Sequence, residues 1–317
     1  MFATPPPEWQ AKASVSDLIH WAAEAFESAD LYYGHGTTNA LDEAAWLVSF
    51  AVGLPVDFSD ADLNRPVTPE QMQKALSLAE RRVKERTPVA YLTNEAWFAG
   101  LNFYVDKRVI IPRSPIAELI NERFQPWIDP ERVHRVLDLC TGSGCIAIAC
   151  AYMFPQASVD ASDWSTDALT VARINVERHE LTDRLRLIHS DLFDAIDRRD
   201  YDIIVSNPPY VDALDMAGLP AEFAHEPEQA LAAGERGLDL VLPILAHAAE
   251  FLTDRGILVV EVGNSAEALM KALPKVPFIW LEFEHGGEGV FLLHREDLLA
   301  HKSEIEQAWS HADSTPG

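Results

Sequence analysis

The stretch Val136-Leu137-Asp138-Leu139-Cys140-Thr141-Gly142-Ser143-Gly144-Cys145-Ile146-Ala147 reads as an apolar strand that enters a glycine turn and leaves as a helix. Gly142 and Gly144 let the backbone approach a ligand closely, and the helix amino terminus offers free N–H groups. Outward from this point the same pattern repeats. Apolar strands are predicted at Arg135–Leu139, Ser158–Ala161, Leu185–His189, Ile203–Ser206 and Ile257–Val262, with helical stretches between them. Strands alternating with helices imply a mostly parallel sheet covered on both faces. Phe278–Phe283 and Val290–His294 are joined through Gly286-Gly287, too short for a helical crossover, so they are expected to pair antiparallel. The expected fold class is α/β, a Rossmann-like seven-stranded sheet.

Upstream, residues from Trp9 to Glu85 carry apolar side chains at helical spacing, as in Leu18, Trp21, Ala22 and Phe26, or Met72, Ala75, Leu78 and Ala79. Asn39 or Asp42 can cap the second of these helices, and Thr68-Pro69-Glu70 is a helix start with proline in the first turn. The aromatic run Trp97–Val105 around Ala99-Gly100 suggests a hairpin. The expected organisation is a helical substrate-recognition domain over 1–87, a β-hairpin linker over 88–112, a catalytic α/β domain over 113–300 and a polar tail over 301–317 whose end, Ser314–Gly317, frays.

With 317 residues, 48% of them hydrophobic and 24% charged, the chain has an ordinary globular composition. Its longest apolar run, Cys145–Phe154, falls well short of the ~20 residues of a membrane span. The start, Met1-Phe2-Ala3-Thr4-Pro5-Pro6-Pro7, lacks the basic flank and apolar core of a secretory signal, and the cytoplasm is the expected location. The net charge of −25 repels nucleic-acid phosphates and attracts basic partners, although an acidic surface also serves solubility. Cys140, Cys145 and Cys150 are five apart, which matches neither a metal pair nor a disulfide framework, so no metal site is expected.

Two constellations carry chemistry. Past the glycine turn, Asp163 stands at the end of the next strand, placed to accept from ribose hydroxyls. Gly142-x-Gly144-x-x-Ala147 with a distal acid also satisfies the dinucleotide fingerprint, so a nicotinamide enzyme is a competing reading, as is a tight turn without a ligand. Asp138 counts against the first: a carboxylate at the mouth of the turn repels a pyrophosphate but suits a cationic ligand such as S-adenosylmethionine. The second constellation is Asn207-Pro208-Pro209-Tyr210 after an apolar strand. The prolines stiffen the chain and remove donors, leaving the Pro208 carbonyl and the Asn207 side-chain oxygen as two fixed acceptors for a planar –NH₂ group, on which Tyr210 can stack. Asp191 can accept from an adenine amino group while Leu192 packs on the ring, or can instead cap a helix. His225 reads as a loop residue.

These blocks, with Pro88-Val89-Ala90-Tyr91-Leu92, Ile111-Pro112-Arg113-Ser114-Pro115 and the run from Glu226-Pro227 to Gly237-Leu238, resemble the S-adenosylmethionine-dependent protein-(glutamine-N5) methyltransferases over residues 15–295. The resemblance implies that Asp138, Cys140, Thr141, Gly142, Ser143, Gly144, Asp163, Asp191, Leu192 and Asn207 bind the cofactor. It further implies that Asn207, Pro208, Pro209 and Tyr210 hold the glutamine amide. Release-factor enzymes of that family usually read Pro-Arg-Pro-Asp-Thr-Glu where this chain has Pro-Arg-Ser-Pro-Ile-Ala, so it looks more like the branch acting on protein three of the large ribosomal subunit. The implied partner is a basic ribosomal protein, with no nucleic-acid substrate and no membrane; oligomeric state stays open. The alternatives are a release-factor methyltransferase, an adenine-N6 methyltransferase, which needs a basic groove that this chain lacks near Tyr210, and a binding module without turnover.

Overall fold

The computed structural model describes residue 9 and residues 13–55, 58–197 and 200–313, so the expected frayed end at Ser314–Gly317 lies outside the described residues. The chain divides into two compact units, one made of residues up to Ala96 together with Pro220–His225, the other of Trp97–Leu219 and the residues from Glu226 onward.

The first unit is helical: α1 (Val15–Ser28), α2 (Ala40–Val52), α3 (Asp60–Leu63), α4 (Pro69–Glu85) and α5 (Val89–Thr93). Side-chain caps start the longer helices. Ser14 and Asp17 form a capping box on α1, Asn39 Oδ1 accepts from the Asp42 amide on α2, and Thr68 with Gln71 boxes α4 behind Pro69. Leu18, Ala22 and Phe26 of α1 meet Ala44, Leu47 and Val48 of α2 and Met72, Ala75 and Ala79 of α4 in one apolar cluster. Val89 and Leu92 join it. Residues 89–93, read from sequence as the start of the hairpin linker, are therefore a short helix of the first unit, held there by apolar burial.

A hairpin of β1 (Ala96–Phe98) and β2 (Leu101–Phe103) precedes α6 (Ile116–Asn121). Then come β3 (Arg135–Leu139), α7 (Cys145–Met153), β4 (Ser158–Asp163), α8 (Thr166–Arg178), β5 (Leu185–His189) and β6 (Tyr201–Ser206). After α9 (Ala213–Gly218), the chain continues through α10 (Val241–Ala248), β7 (Leu252–Glu261), α11 (Ala266–Ala272), β8 (Ile279–Trp280), β9 (Val290–His294), α12 (Arg295–Ala300) and α13 (Lys302–Asp313). The seven strands lie in the order β5-β4-β3-β6-β7-β9-β8, the first five pairing in parallel and β9 pairing antiparallel with both β7 and β8.

Alternation along the central strands covers both faces. Val136, Val159, Ile203 and Val259 enter one apolar cluster with α6 and α7, whereas Leu137, Leu139, Ile204 and Val260 enter another with α10 and α13. β7 begins at Leu252, earlier than its apolar run suggests, because Leu252 pairs with Tyr201 ahead of the polar Thr253-Asp254-Arg255. The strand order reverses between β3 and β6, whose carboxyl ends lie side by side. Such a reversal opens a crevice at the strand ends, and both chemical constellations stand there.

Candidate active site

The glycine turn is tied together from beneath by Asp138. That carboxylate is wholly buried; its Oδ2 accepts from Thr141 Oγ1 at 2.5 Å and from the Ala147 amide at 3.1 Å, while Oδ1 has no hydrogen-bond partner. Burial pushes the acid up to about 7. Cys140 and Gly142 both take left-handed backbone (φ 58° and 55°). A Cβ on Gly142 would meet nothing within 4 Å, so the turn leaves open space there.

Asp163 ends β4 beside this turn. Its Oδ2 accepts from the Gly142 amide and its Oδ1 from the Ser165 amide, both at 2.9 Å. It is 8% exposed, and burial lifts it above the usual carboxylate range. Asp191 is exposed just past β5; no helix begins at it, and it is Ser190 Oγ that receives the Ala195 amide of the turn. Leu192 follows in left-handed backbone, φ 41°.

At the end of β6, Ser206 Oγ donates to the Leu139 carbonyl at 2.8 Å and so fixes the next residue against β3. Among the described residues the Asn207 side chain has no hydrogen-bond partner, and no backbone amide donates to the Pro208 carbonyl. Tyr210 is held firmly: its hydroxyl donates to Glu261 Oε1 at 2.9 Å and its carbonyl accepts from Ser265 Oγ at 2.7 Å.

These strand ends surround a cavity of about 340 Å³. Of the residues chosen from sequence, Cys140, Gly142, Asp163, Asp191, Leu192, Asn207 and Pro209 line it. Asp138, Thr141, Ser143, Gly144, Pro208 and Tyr210 are not on its wall; the first four shape the turn from inside.

Two curated relatives, the ribosomal protein uL3 glutamine methyltransferases of Neisseria meningitidis serogroup B and of serogroup A, are each 49% identical to this chain over 291 residues, covering 92% of it and 96% of theirs. The chain belongs to this family. The signature of the Methyltransferase small domain matches residues 124–241 of this glutamine methyltransferase, and that of the PrmC N-terminal domain matches residues 17–93. Among solved structures, a methyltransferase from Pyrococcus furiosus superposes with a TM-score of 0.45 at 18% identity, over 62% of this chain and 89% of its own.

Family and fold together imply the use of S-adenosylmethionine, and the residues present fit that group. Gly142 lines the cavity, and a Cβ there would meet no atom within 4 Å, so its backbone stands open to a ligand. Asp163 and Asp191 are acceptors on the cavity wall, with Leu192 and Ala168 as apolar surface beside them. Asp138 Oδ1 is a buried acceptor still lacking a donor.

Several residues lining or bracing the cavity carried no sequence signal. Arg108, Val109 and Ile110 line the cavity from the stretch after the hairpin, and Trp164, Gln229 and Asp239 line it elsewhere. Asn175, wholly buried on α8, donates to the Ser143 and Tyr104 carbonyls at 2.8 and 3.0 Å and accepts from the Tyr104 amide at 2.7 Å. It joins the glycine turn to the strand that leads to Arg108. A lone Asn inside a helical stretch looks like any surface position. The pairing of Arg113 with Glu226, at 2.6 and 2.8 Å, was equally invisible, although both residues stand in the blocks that carry the family resemblance.

Proposed function

We propose that this chain transfers the sulfonium methyl group of S-adenosylmethionine to the side-chain nitrogen of a glutamine in ribosomal protein uL3. The observation that carries the reading is the pair of unengaged acceptors at the end of β6, the Asn207 side-chain oxygen and the Pro208 carbonyl, beside a cavity whose other wall is the glycine turn.

When bound, S-adenosylmethionine supplies an electrophilic methyl group. Asp163 would accept from its ribose hydroxyls, Asp191 from its adenine amino group, and Gly142 would leave room for its amino-acid part. The rest of the task falls to Asn207 and Pro208. An amide nitrogen is a poor nucleophile because its lone pair is delocalised into the carbonyl. Two acceptors that take its two N–H bonds favour a pyramidal nitrogen with a localised lone pair, and they fix its direction of approach. No strong side-chain base is needed, because the N–H proton becomes acidic only as the new C–N bond forms. Tyr210, next to Pro209, would close over the amide plane and exclude water.

The acidic balance of the chain, −25, suits a basic ribosomal protein. The cytoplasm, where such a protein is made and assembled, is the proposed place of action; no helix among the described residues is long and apolar enough to cross a membrane.

Incubation of the purified enzyme with tritiated S-adenosylmethionine and, in parallel, large-subunit precursors, release factors and protein-free RNA is the test. Label on uL3, located to a glutamine by peptide mass spectrometry, is expected. Label on a release factor alone would move the enzyme to the other branch, and label on RNA would overturn the amide reading.

A further inference from the structure

Glu261 is a buried carboxylate that the reaction as described does not use. It ends β7, the strand paired with β6, and is 5% exposed. Both its oxygens are engaged: Oε1 accepts from the Tyr210 hydroxyl at 2.9 Å, and Oε2 accepts from Ser114 Oγ at 2.5 Å. Burial raises it above the usual carboxylate range, and burial with the neighbouring Glu261 charge raises the Tyr210 phenol, so the tyrosine stays a donor.

The partners of this carboxylate are themselves fixed. Ser114 is 7% exposed, and its Oγ also accepts from the Ile116 amide at the start of α6. Its neighbour Arg113 is clamped by the fully buried Glu226, which also accepts from the Ile111 amide. On the other side the Tyr210 ring lies directly against Gly263, where a Cβ would come within 2.5 Å of ring atom Cε2. The ring is thus held by a glycine on one edge and by a single acceptor at its hydroxyl.

We propose that Glu261 is a positioning residue for Tyr210, and that Ser114 holds Glu261 in the rotamer that serves this role. The proposal rests on the reading that Asn207–Tyr210 holds the substrate amide. Ser114 stands where the release-factor sequences quoted above carry a proline, which has no hydroxyl to donate. The Ser114–Glu261–Tyr210 relay is therefore a property of this chain's version of the segment, and it sets how the tyrosine ring lies over the amide.

The test is a mutant cycle on the full-length enzyme, reading kcat, KM for the protein substrate and the affinity for S-adenosylhomocysteine. Tyr210→Phe, which removes one oxygen, and Glu261→Ala are each expected to lower kcat by roughly ten- to hundredfold, the size of a hydrogen bond to a charged group. Cofactor affinity should stay unchanged. The double variant should lose no more than the worse single one, because Glu261 acts only through the hydroxyl. Glu261→Gln, which keeps an acceptor for Tyr210 and gains a donor for Ser114 Oγ, should recover most of the activity. It also guards against an Ala variant that fails to fold.

Losses that multiply in the double variant, or Glu261→Gln as inactive as Glu261→Ala, would overturn the positioning role. So would wild-type kcat in Tyr210→Phe and Glu261→Ala while Asn207→Ala is inactive; that result leaves the amide clamp standing. Wild-type kcat in Asn207→Ala would instead bring down the clamp itself and this proposal with it.

Discussion

The Gly142 amide donates to Asp163 Oδ2 at 2.9 Å, so the glycine turn after β3 and the acid that ends β4 are one hydrogen-bonded piece. Asp163→Ala therefore removes two things, the acceptors proposed for ribose and the partner of a turn amide. The expected loss of S-adenosylhomocysteine affinity is roughly 2–4 kcal/mol at ~1–3 per charge-assisted bond. Calorimetric titration measures it. Affinity equal to that of the parent enzyme would place the cofactor elsewhere.

Asn207→Ala removes a side chain that bonds to nothing among the described residues. Thermal stability should be unchanged, and kcat should fall by ~10²-fold or more, far more than cofactor affinity alters, as for other groups that act mainly in the transition state. Asn207→Asp keeps one acceptor and adds charge beside the reacting nitrogen. Full activity in either variant would remove the amide clamp from the mechanism.

Asp138 predicts a pH dependence whose sign is fixed by its burial. Burial lifts it from the ordinary 3.8 to about 7, so between those values the folded state binds the extra proton. Stability from this group is fully present below pH ~4 and is lost as pH rises through ~7, by a few kcal/mol at ~1.4 per unit. Asp138→Asn cannot ionise, so the difference in stability between variant and parent should grow from pH 5 to pH 8 in favour of the variant. Melting curves of both proteins without cofactor across that range decide it; parallel pH profiles would mean that the buried carboxyl does not titrate there.

The exposed acids of the helical unit, among them Glu24, Glu27, Asp30 and Asp60, are candidates for drawing in a basic substrate. Asp62, also chosen from sequence, is engaged in capping α3 through Ser59, and Asp57 lies outside the described residues. Replacing the four by lysine should lower kcat/KM for the intact ribosomal protein and leave a short glutamine peptide unaffected. For the parent enzyme, kcat/KM on the protein should fall as salt shortens the Debye length from ~30 to ~8 Å. A rate indifferent to salt would assign these acids to solvation alone.

The fold was legible because its signals are local. A strand, a glycine turn and a helix follow one another within the stretch Val136–Ala147, and the pattern repeats along the sheet. For the same reason seven residues chosen from sequence fall on one cavity wall: each stands at or just past the end of a strand, and parallel strands bring those ends together. What stayed hidden depends on distant pairing. Nothing in the sequence marks the partners of Glu222, Glu226 and Glu261, yet each is buried against a residue far along the chain: Arg82, Arg113 and Ser114 respectively. Asn175 was missed likewise, because nothing in a helical pattern marks the residue that faces inward with an amide. The short helix α5 was lost to the hairpin because five residues between a proline and an asparagine carry too little periodicity to declare a helix.

The helical unit is assembled from two separate pieces of chain. Within it Arg82, 1% exposed, bonds both Glu43 and Glu222, and Glu222 belongs to the six residues Pro220–His225 that lie more than a hundred positions downstream. For anyone recombining family members, the front of this protein is not a detachable cassette. A chimera that exchanges only the leading helices keeps Glu222 but replaces the segment that supplies Arg82 and Arg86, the two arginines paired with this buried carboxylate. Such grafts should respect a composite boundary, in which those six residues travel with the helices they complete.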